Sequence, residues 1–179
     1  HAATTDTPAR QATPDDACRP NQLLAVTLGA VTDHDLLRDI IIATRPLLTP
    51  AGIRSLDDAP VTCPLPVGSA EHPLNDPHRP YWGSYSGDED TRRKPAYHNG
   101  TSWAWLMPSF CEALVITYGP TAVPAARAWT AAAAAEMQRH GLGFLPEIYD
   151  GNAPHTPKGC VAQAWSMTEW FRISEQLAT

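Results

Sequence analysis

Between Ser55 and Pro95 about 40 residues pass with neither a helical nor a strand period, carrying prolines, glycines and acidic residues instead. No other feature restricts the assembly of the chain as much. Connections much beyond ~15 residues are binding loops, lids or disordered linkers, and aromatic content selects among them. "RPYWGSYSGD" (79–88) and "PAYHNGTSWAW" (95–105) carry Tyr81, Trp82, Tyr85, Tyr97, Trp103 and Trp105. Disordered linkers are poor in such side chains, so the interval reads as an ordered connection that serves binding.

The segments on either side read as helices. "RPNQLLAVTL" (19–28) places Pro20 where a first helical turn tolerates it, followed by Leu23, Leu24, Val26 and Leu28. In "TDHDLLRDIIIAT" (32–44), Thr32 is an N-cap candidate with Asp35 three residues on, Leu36, Leu37, Ile40 and Ile41 share a face, and Pro46 ends the run. Trp103, Leu106, Met107, Phe110, Leu114 and Tyr118 recur at helical spacing and predict a third helix. Residues 121–140 are alanine-rich and helix-forming, with Arg139 and His140 near the negative end and Gly141 or Gly143 as the stop. From Gly159 to Leu177 two apolar stripes, Val161/Trp165/Thr168/Phe171 and Met167/Trp170/Ile173/Leu177, predict a fifth helix covered on both sides. Apolar faces in several directions, joined by alternately short and long connections, describe an all-α assembly of helical hairpins, with no competing strand. Residues 1–17 are polar, rich in Ala, Thr, Pro and Asp, and read as a flexible flank to one structural unit over 18–179.

Charge and cysteine usage exclude several functions. The 13 Lys and Arg against 19 Asp and Glu give a formal charge of −6 with no basic run, which argues against tracking along nucleic-acid phosphates. No apolar stretch is long enough to span a bilayer and the start lacks a signal-peptide pattern, so a cytoplasmic protein without a membrane partner is expected. Cys18, Cys63, Cys111 and Cys160 fall at no metal-ligand spacing and read as ordinary intracellular thiols, with disulfide pairing as the alternative, and the histidines are equally scattered. Neither a metal nor a cofactor is expected. The sequon at Asn99 would matter only in a secreted chain.

"GFLPEIYDGNAPH" (143–155) holds Glu147 in a stretch with the punctuation of a loop, among Phe144, Pro146, Ile148 and Tyr149 that would partly desolvate it. Taken alone, such an acid is a surface charge or a cap, and Asp150 has the plain explanation of an Asp-Gly turn. The wider context adds weight. "RPNQ" (19–22), "LLTPAGIRSL" (47–56), "AYHNGTSWAWLMPSFCEAL" (96–114), "EIYDGNAPHTPKGC" (147–160) and "AQAWSMTE" (162–169) follow one another in the order and spacing of a known family. Together they resemble the C-terminal, amylo-alpha-1,6-glucosidase region of glycogen debranching enzymes, over nearly the whole chain.

That resemblance implies the C-terminal half of an (α/α)6 toroid of the six-hairpin glycosidase kind, with an α-glucan or oligosaccharide bound in a funnel at one end. It implies an inverting glycoside hydrolase in which Glu147 is the general base. One carboxylate takes a proton from water while a second, protonated carboxyl group ~6.5–9.5 Å away donates to the leaving oxygen. His98, Trp103, Gln163 and Trp165 fall on positions that imply sugar contacts, with Arg19, Gln22 and Asp150 at or just behind the pocket. Plain packing also accounts for Trp103 and Trp165, which lie on apolar stripes, and Arg19 also suits pairing with Asp15 or Asp16. If Trp103 and Trp105 share a helix, only one of them faces the sugar. The chain departs from the family pattern at Asn99, Ser102, Ala104 and Asn152, and since Asn99 is one methylene short of a glutamine, a hydrogen bond there is expected to be lost or bridged by water.

The family's acid-bearing block is not found in this chain. Asp88, Glu89 and Asp90 are the clustered acids that could substitute, although a solvated turn explains them more simply. An open half-toroid would bare apolar helix faces, so a partner is expected: an N-terminal half from another chain or a cut segment, or a self-pairing copy. The alternatives are a noncatalytic helical module that binds glucan or protein, and a related glucosidase acting on another sugar.

Overall fold

The computed structural model describes residues 8, 11, 12, 14–68, 71–140 and 143–178. Among the described residues, α1 (Gln22–Thr27), α2 (His34–Thr44), α4 (Met107–Tyr118), α5 (Val123–His140) and α6 (Ala164–Ala178) pack round one apolar core, and the single turn α3 (Lys94–Tyr97) ends the long connection. The centre is α4. It packs on α1, α2, α5 and α6, and Met107, Pro108, Ser109, Phe110, Cys111, Ala113 and Thr117 are buried along it. A helix that is apolar in nearly every direction can be stable only with neighbours on most sides.

Local chemistry explains the helix ends. Asp33, rather than the expected Thr32, caps α2, its carboxylate accepting from Leu36 N at 2.9 Å. Pro46 follows the last turn of α2 in a short 3₁₀ segment, Arg45–Leu47, as a ring without an N–H requires. The helix expected from Trp103 onward is α4, which starts later, at Met107, with Pro108 in its first turn. The expected stop at Gly141 lies outside the described residues, while Gly143 has φ +97° and its N–H returns to Met137 O at 3.0 Å. At the far end of α6, Arg127 on α5 donates to the Leu177 carbonyl, a cation on an otherwise open helix terminus. Arg172 on α6 bridges Glu169 at 3.0 Å and Glu112 of α4 at 2.9 Å.

The all-α expectation is corrected by a five-stranded antiparallel sheet in the order β1 (Leu48–Thr49), β2 (Gly52–Arg54), β3 (Ser102–Trp103), β4 (Ile148–Tyr149) and β5 (Pro157–Lys158). Strands of two or three residues are too short to show alternation in a sequence. They exist because buried backbone leaving the helices must still pair its N–H and C=O groups. Between α2 and α4 the sheet carries the turn into and out of the long connection. Its register sets Ile53 opposite Trp103 and Trp103 opposite Ile148. Thr49 Oγ1 and Ser102 Oγ share a buried 2.6 Å hydrogen bond beneath it.

Only one stripe of α6 is covered. Trp170, Ile173 and Leu177 are buried, but Trp165 is 51% exposed and Phe171 69%, with Val161 at 70% just before the helix. The expected second cover is not supplied by the described residues. All four cysteines are free. Among the described residues no helix is long and apolar enough to cross a membrane.

Most of residues 1–17 lie outside the described residues, but Asp16 is described and anchored. Its carboxylate accepts from Thr62 N at 2.7 Å, Cys63 N at 3.1 Å and Thr62 Oγ1 at 2.8 Å. The bonds from the Thr62 and Cys63 backbone hold its pKa down to about 2, from an ordinary 3.8. A lowered folded-state pKa stabilises the fold above the unfolded value, and the contribution disappears as pH falls through the folded one. The difference in urea midpoint between the native protein and Asp16→Asn should therefore be full above pH 3.8 and shrink toward pH 2. A pH-independent difference would mean that the carboxylate has no such role.

Candidate active site

The sheet brings the two distant motifs into contact. Because Trp103 pairs with Ile148, the residue before Ile148 sits beside the aromatic block that leads into β3. Glu147 is half-buried there, and both of its oxygens are engaged. Oε1 accepts from the Tyr97 hydroxyl, and Oε2 accepts from Cys160 N at 3.0 Å. Backbone pairing of Glu147 N with Cys160 O at 2.9 Å closes the same hairpin. Gly159, in a left-handed conformation at φ +70°, makes this possible: a Cβ there would stand 2.5 Å from Glu147 Oε2.

Aromatic rings pack against Tyr97, the donor to that carboxylate. Tyr97 meets Trp103 edge-on at 4.7 Å and His98 at 4.8 Å, while His98 and Trp103 stack in parallel at 5.5 Å. Trp103 Nε1 donates to Tyr97 O at 3.2 Å, which fixes the indole. Burial first, then the bond to Glu147 and its charge, push the Tyr97 phenol well above its ordinary pKa, so it remains protonated and able to donate. Burial and then the nearby Arg19 lower the His98 pKa, which favours a neutral imidazole.

Next to this cluster lies a concavity of about 190 Å³ lined by Pro20, Asn21, Ser55, His98, Trp103, Trp105, Leu106 and Trp165. Trp105 and Trp165 stack at 3.9 Å along its wall. The limit of one indole for Trp103 and Trp105 does not apply here, because Trp103 is on a strand and Trp105 in the 3₁₀ turn Ala104–Leu106, so both reach the same space. Glu147 is not among the lining residues. It stands behind Tyr97, one ring away from Trp103.

The remaining predicted residues separate by role. Of the two acids expected beside Arg19, Asp16 is taken by Thr62 and Cys63, while the charge of Asp15 still acts on the guanidinium. Arg19 itself donates to Ser55 O at 3.1 Å, His98 O at 2.5 Å and Asn99 Oδ1 at 3.0 Å. Asn99 therefore has a partner despite its shorter side chain, and Arg19 clamps the cavity wall from behind. Gln22 donates to Arg19 O at 2.9 Å and to Cys18 Sγ, which steadies that clamp. Asp150 accepts from Tyr85 N at 2.7 Å and ties the long connection to the Glu147 hairpin. Asn152 does the same through Tyr81 at 2.9 Å. Gln163 is half-buried, its backbone N–H bonded to Leu145 O at 3.0 Å just ahead of α6. Trp165 follows in the first turn of that helix and lines the concavity.

Asp88, Glu89 and Asp90 form a solvated turn. Asp88 caps the π-helical turn Glu89–Arg93, while Lys94 pairs with Glu89 at 3.4 Å and Asp90 at 2.7 Å. Tyr97 and the Cys160 N–H are the site groups that sequence reasoning passed over. The phenol was visible as an aromatic next to His98, but nothing in the linear order ties it to a residue 50 positions away. Among the described residues no three His, Cys, Asp or Glu side chains cluster as metal ligands. A family model described as amylo-alpha-1,6-glucosidase matches residues 1–172. No curated protein matches the chain.

Proposed function

The chain belongs to the amylo-alpha-1,6-glucosidase family, the C-terminal region of glycogen debranching enzymes, and on that premise we propose that it is part of an inverting glycoside hydrolase acting on α-1,6 glucosidic bonds of glycogen-type glucans, with Glu147 as general base. The observation that carries this reading is the double anchoring of Glu147 by Tyr97 and Cys160 N beside an aromatic wall. A carboxylate with one donor on each oxygen keeps further lone pairs for a water. Indole faces and a neutral imidazole suit the apolar face and hydroxyls of a glucosyl unit. Incubating the protein, together with the segment that completes its fold, with a branched α-1,6 oligosaccharide should release glucose first as the β-anomer, followed by proton NMR. Release of the α-anomer, or full turnover by Glu147→Gln, would sink the assignment.

On this reading the helices form the C-terminal half of an (α/α)6 toroid, and the second carboxyl group comes from the other half, in another chain, another segment or a second copy. The bare stripe of Val161, Trp165 and Phe171 supports a cover there, since it runs into the concavity through Trp165. Light scattering after size-exclusion chromatography should then give a mass above 19.4 kDa for this chain, or a mixed complex with its complement. A compact monomer that ignores any complement would contradict the half-toroid.

One observation favours a noncatalytic glucan-binding module instead: no carboxylate is among the residues lining the concavity. Calorimetry with maltooligosaccharides separates the two readings, because binding without hydrolysis by the completed assembly supports only the module. A sugar panel run in the same assay tests for a related glucosidase with another substrate.

A further inference from the structure

We infer that Tyr97 is a positioning residue for Glu147: its hydroxyl fixes the direction of Oε1 while the Cys160 N–H fixes Oε2, so that the carboxylate presents one orientation to the water it is to deprotonate. This rests on the reading of Glu147 as the base. Tyr97 closes the last turn of α3. Its ring meets both members of the stacked His98–Trp103 pair edge-on and lies 5.8 Å from the tilted Tyr85 ring. A phenol in contact with three rings loses little freedom when it donates, which makes it a rigid donor. Its hydroxyl remains protonated because both burial and the Glu147 charge oppose ionisation. On the other oxygen, the Gly159 turn sets the Cys160 N–H by backbone geometry alone. Tyr97 thus supplies the side-chain half of a two-point grip whose other half is main chain. The His98–Trp103 pair both holds the ring and walls the concavity, so the grip on the base is built into the proposed sugar site.

The test is a double-mutant cycle on the complete assembly, using a branched α-1,6 oligosaccharide as the probe. Tyr97→Phe removes one oxygen and keeps the ring. It should lower kcat by roughly 10–100-fold with KM changed less than about twofold, the loss expected for a charge-assisted bond that orients a reacting group. Tyr97→Phe combined with Glu147→Gln should be no slower than Glu147→Gln alone, since the hydroxyl acts only through that carboxylate. Losses that multiply, or a rise in KM with kcat intact, would overturn the positioning role and make Tyr97 an independent or sugar-contacting group. Native kcat in Tyr97→Phe beside an inactive Glu147→Gln would refute this inference alone, whereas an active Glu147→Gln would refute the base itself. Should Tyr97→Phe fail to fold, the ¹³Cζ resonance of Tyr97 in the native protein should move on Glu147→Gln, and an unmoved resonance would count against the hydrogen bond.

Discussion

Glu147→Gln is expected to lower kcat by roughly 10²–10⁴-fold, the range for loss of a positioned general base, while oligosaccharide affinity stays within about twofold of native. The geometry makes this substitution clean. Glutamine has the length of glutamate, and its amide oxygen can take over the Cys160 N–H bond now made by Oε2 at 3.0 Å. Its NH2 then meets the Tyr97 oxygen, and a phenol both donates and accepts, so the hydroxyl rotates to receive it. The pocket keeps its shape and loses only the basic charge. Steady-state kinetics and calorimetry on the same preparation check both parts. A parallel loss of binding and turnover would indicate that Glu147 holds sugar and does not activate water.

Gly151→Ala should cost about 3 kcal/mol or more, at or beyond the upper end of overpacking effects in a closed interior. Three backbone segments meet there. A Cβ on Gly151 would stand 2.0 Å from Gly100 O, and one on Gly100 would stand 2.4 Å from Trp82 O. Neither obstacle is a flexible side chain, so whole backbone segments would have to separate. Arg54 Nε also donates to Gly151 O at 2.8 Å, so the shift would break that bond as well. Urea unfolding should show a lower midpoint at unchanged slope, and in a domain stabilised by only ~5–15 kcal/mol the effect would be severe. Since the contact lies between the His98 block and the Glu147 hairpin, the variant should also lose the Glu147–Tyr97 bond. An unchanged midpoint would show that the segments do not approach this closely.

The consequences of the two substitutions differ because the site has two kinds of support. Tyr97 and Glu147 are side chains on a formed scaffold, and changing one alters chemistry before stability. Gly100 and Gly151 are part of the scaffold. They allow the backbone of the long connection, β3 and the hairpin to lie almost in contact, and stability fails before chemistry can be measured.

Helices were legible from the chain itself wherever a face repeated for three turns or more. α2 and α4 lie close to where their apolar spacing put them, and α5 where its alanine content did, because helical hydrogen bonds and helix propensity are local and a stripe of Leu, Ile or Phe reports the buried side directly. The described part of the long connection is tied to the hairpin, the Tyr81 hydroxyl donating to Asn152 and the Tyr85 N–H to Asp150, as its aromatic content led one to expect. Trp103 was misassigned to a helix because its spacing to Leu106 and Phe110 fits that period by coincidence, while strand pairing with Ile53 and Ile148 decided its state.

The order of residues alone determined the helical stripes, the lack of a basic run and the motifs that belong to the amylo-alpha-1,6-glucosidase family. Tertiary structure alone decided that Tyr97 would grip Glu147, that Arg19 would clamp carbonyls and leave Asp16 to Thr62 and Cys63, and that both Trp103 and Trp105 would face one space. The reason is range. A helix closes its bonds within four residues, so its pattern is written along the chain, whereas β3 gains its partners Ile53 and Ile148 only when segments about 50 positions away meet it, and no local period records that meeting.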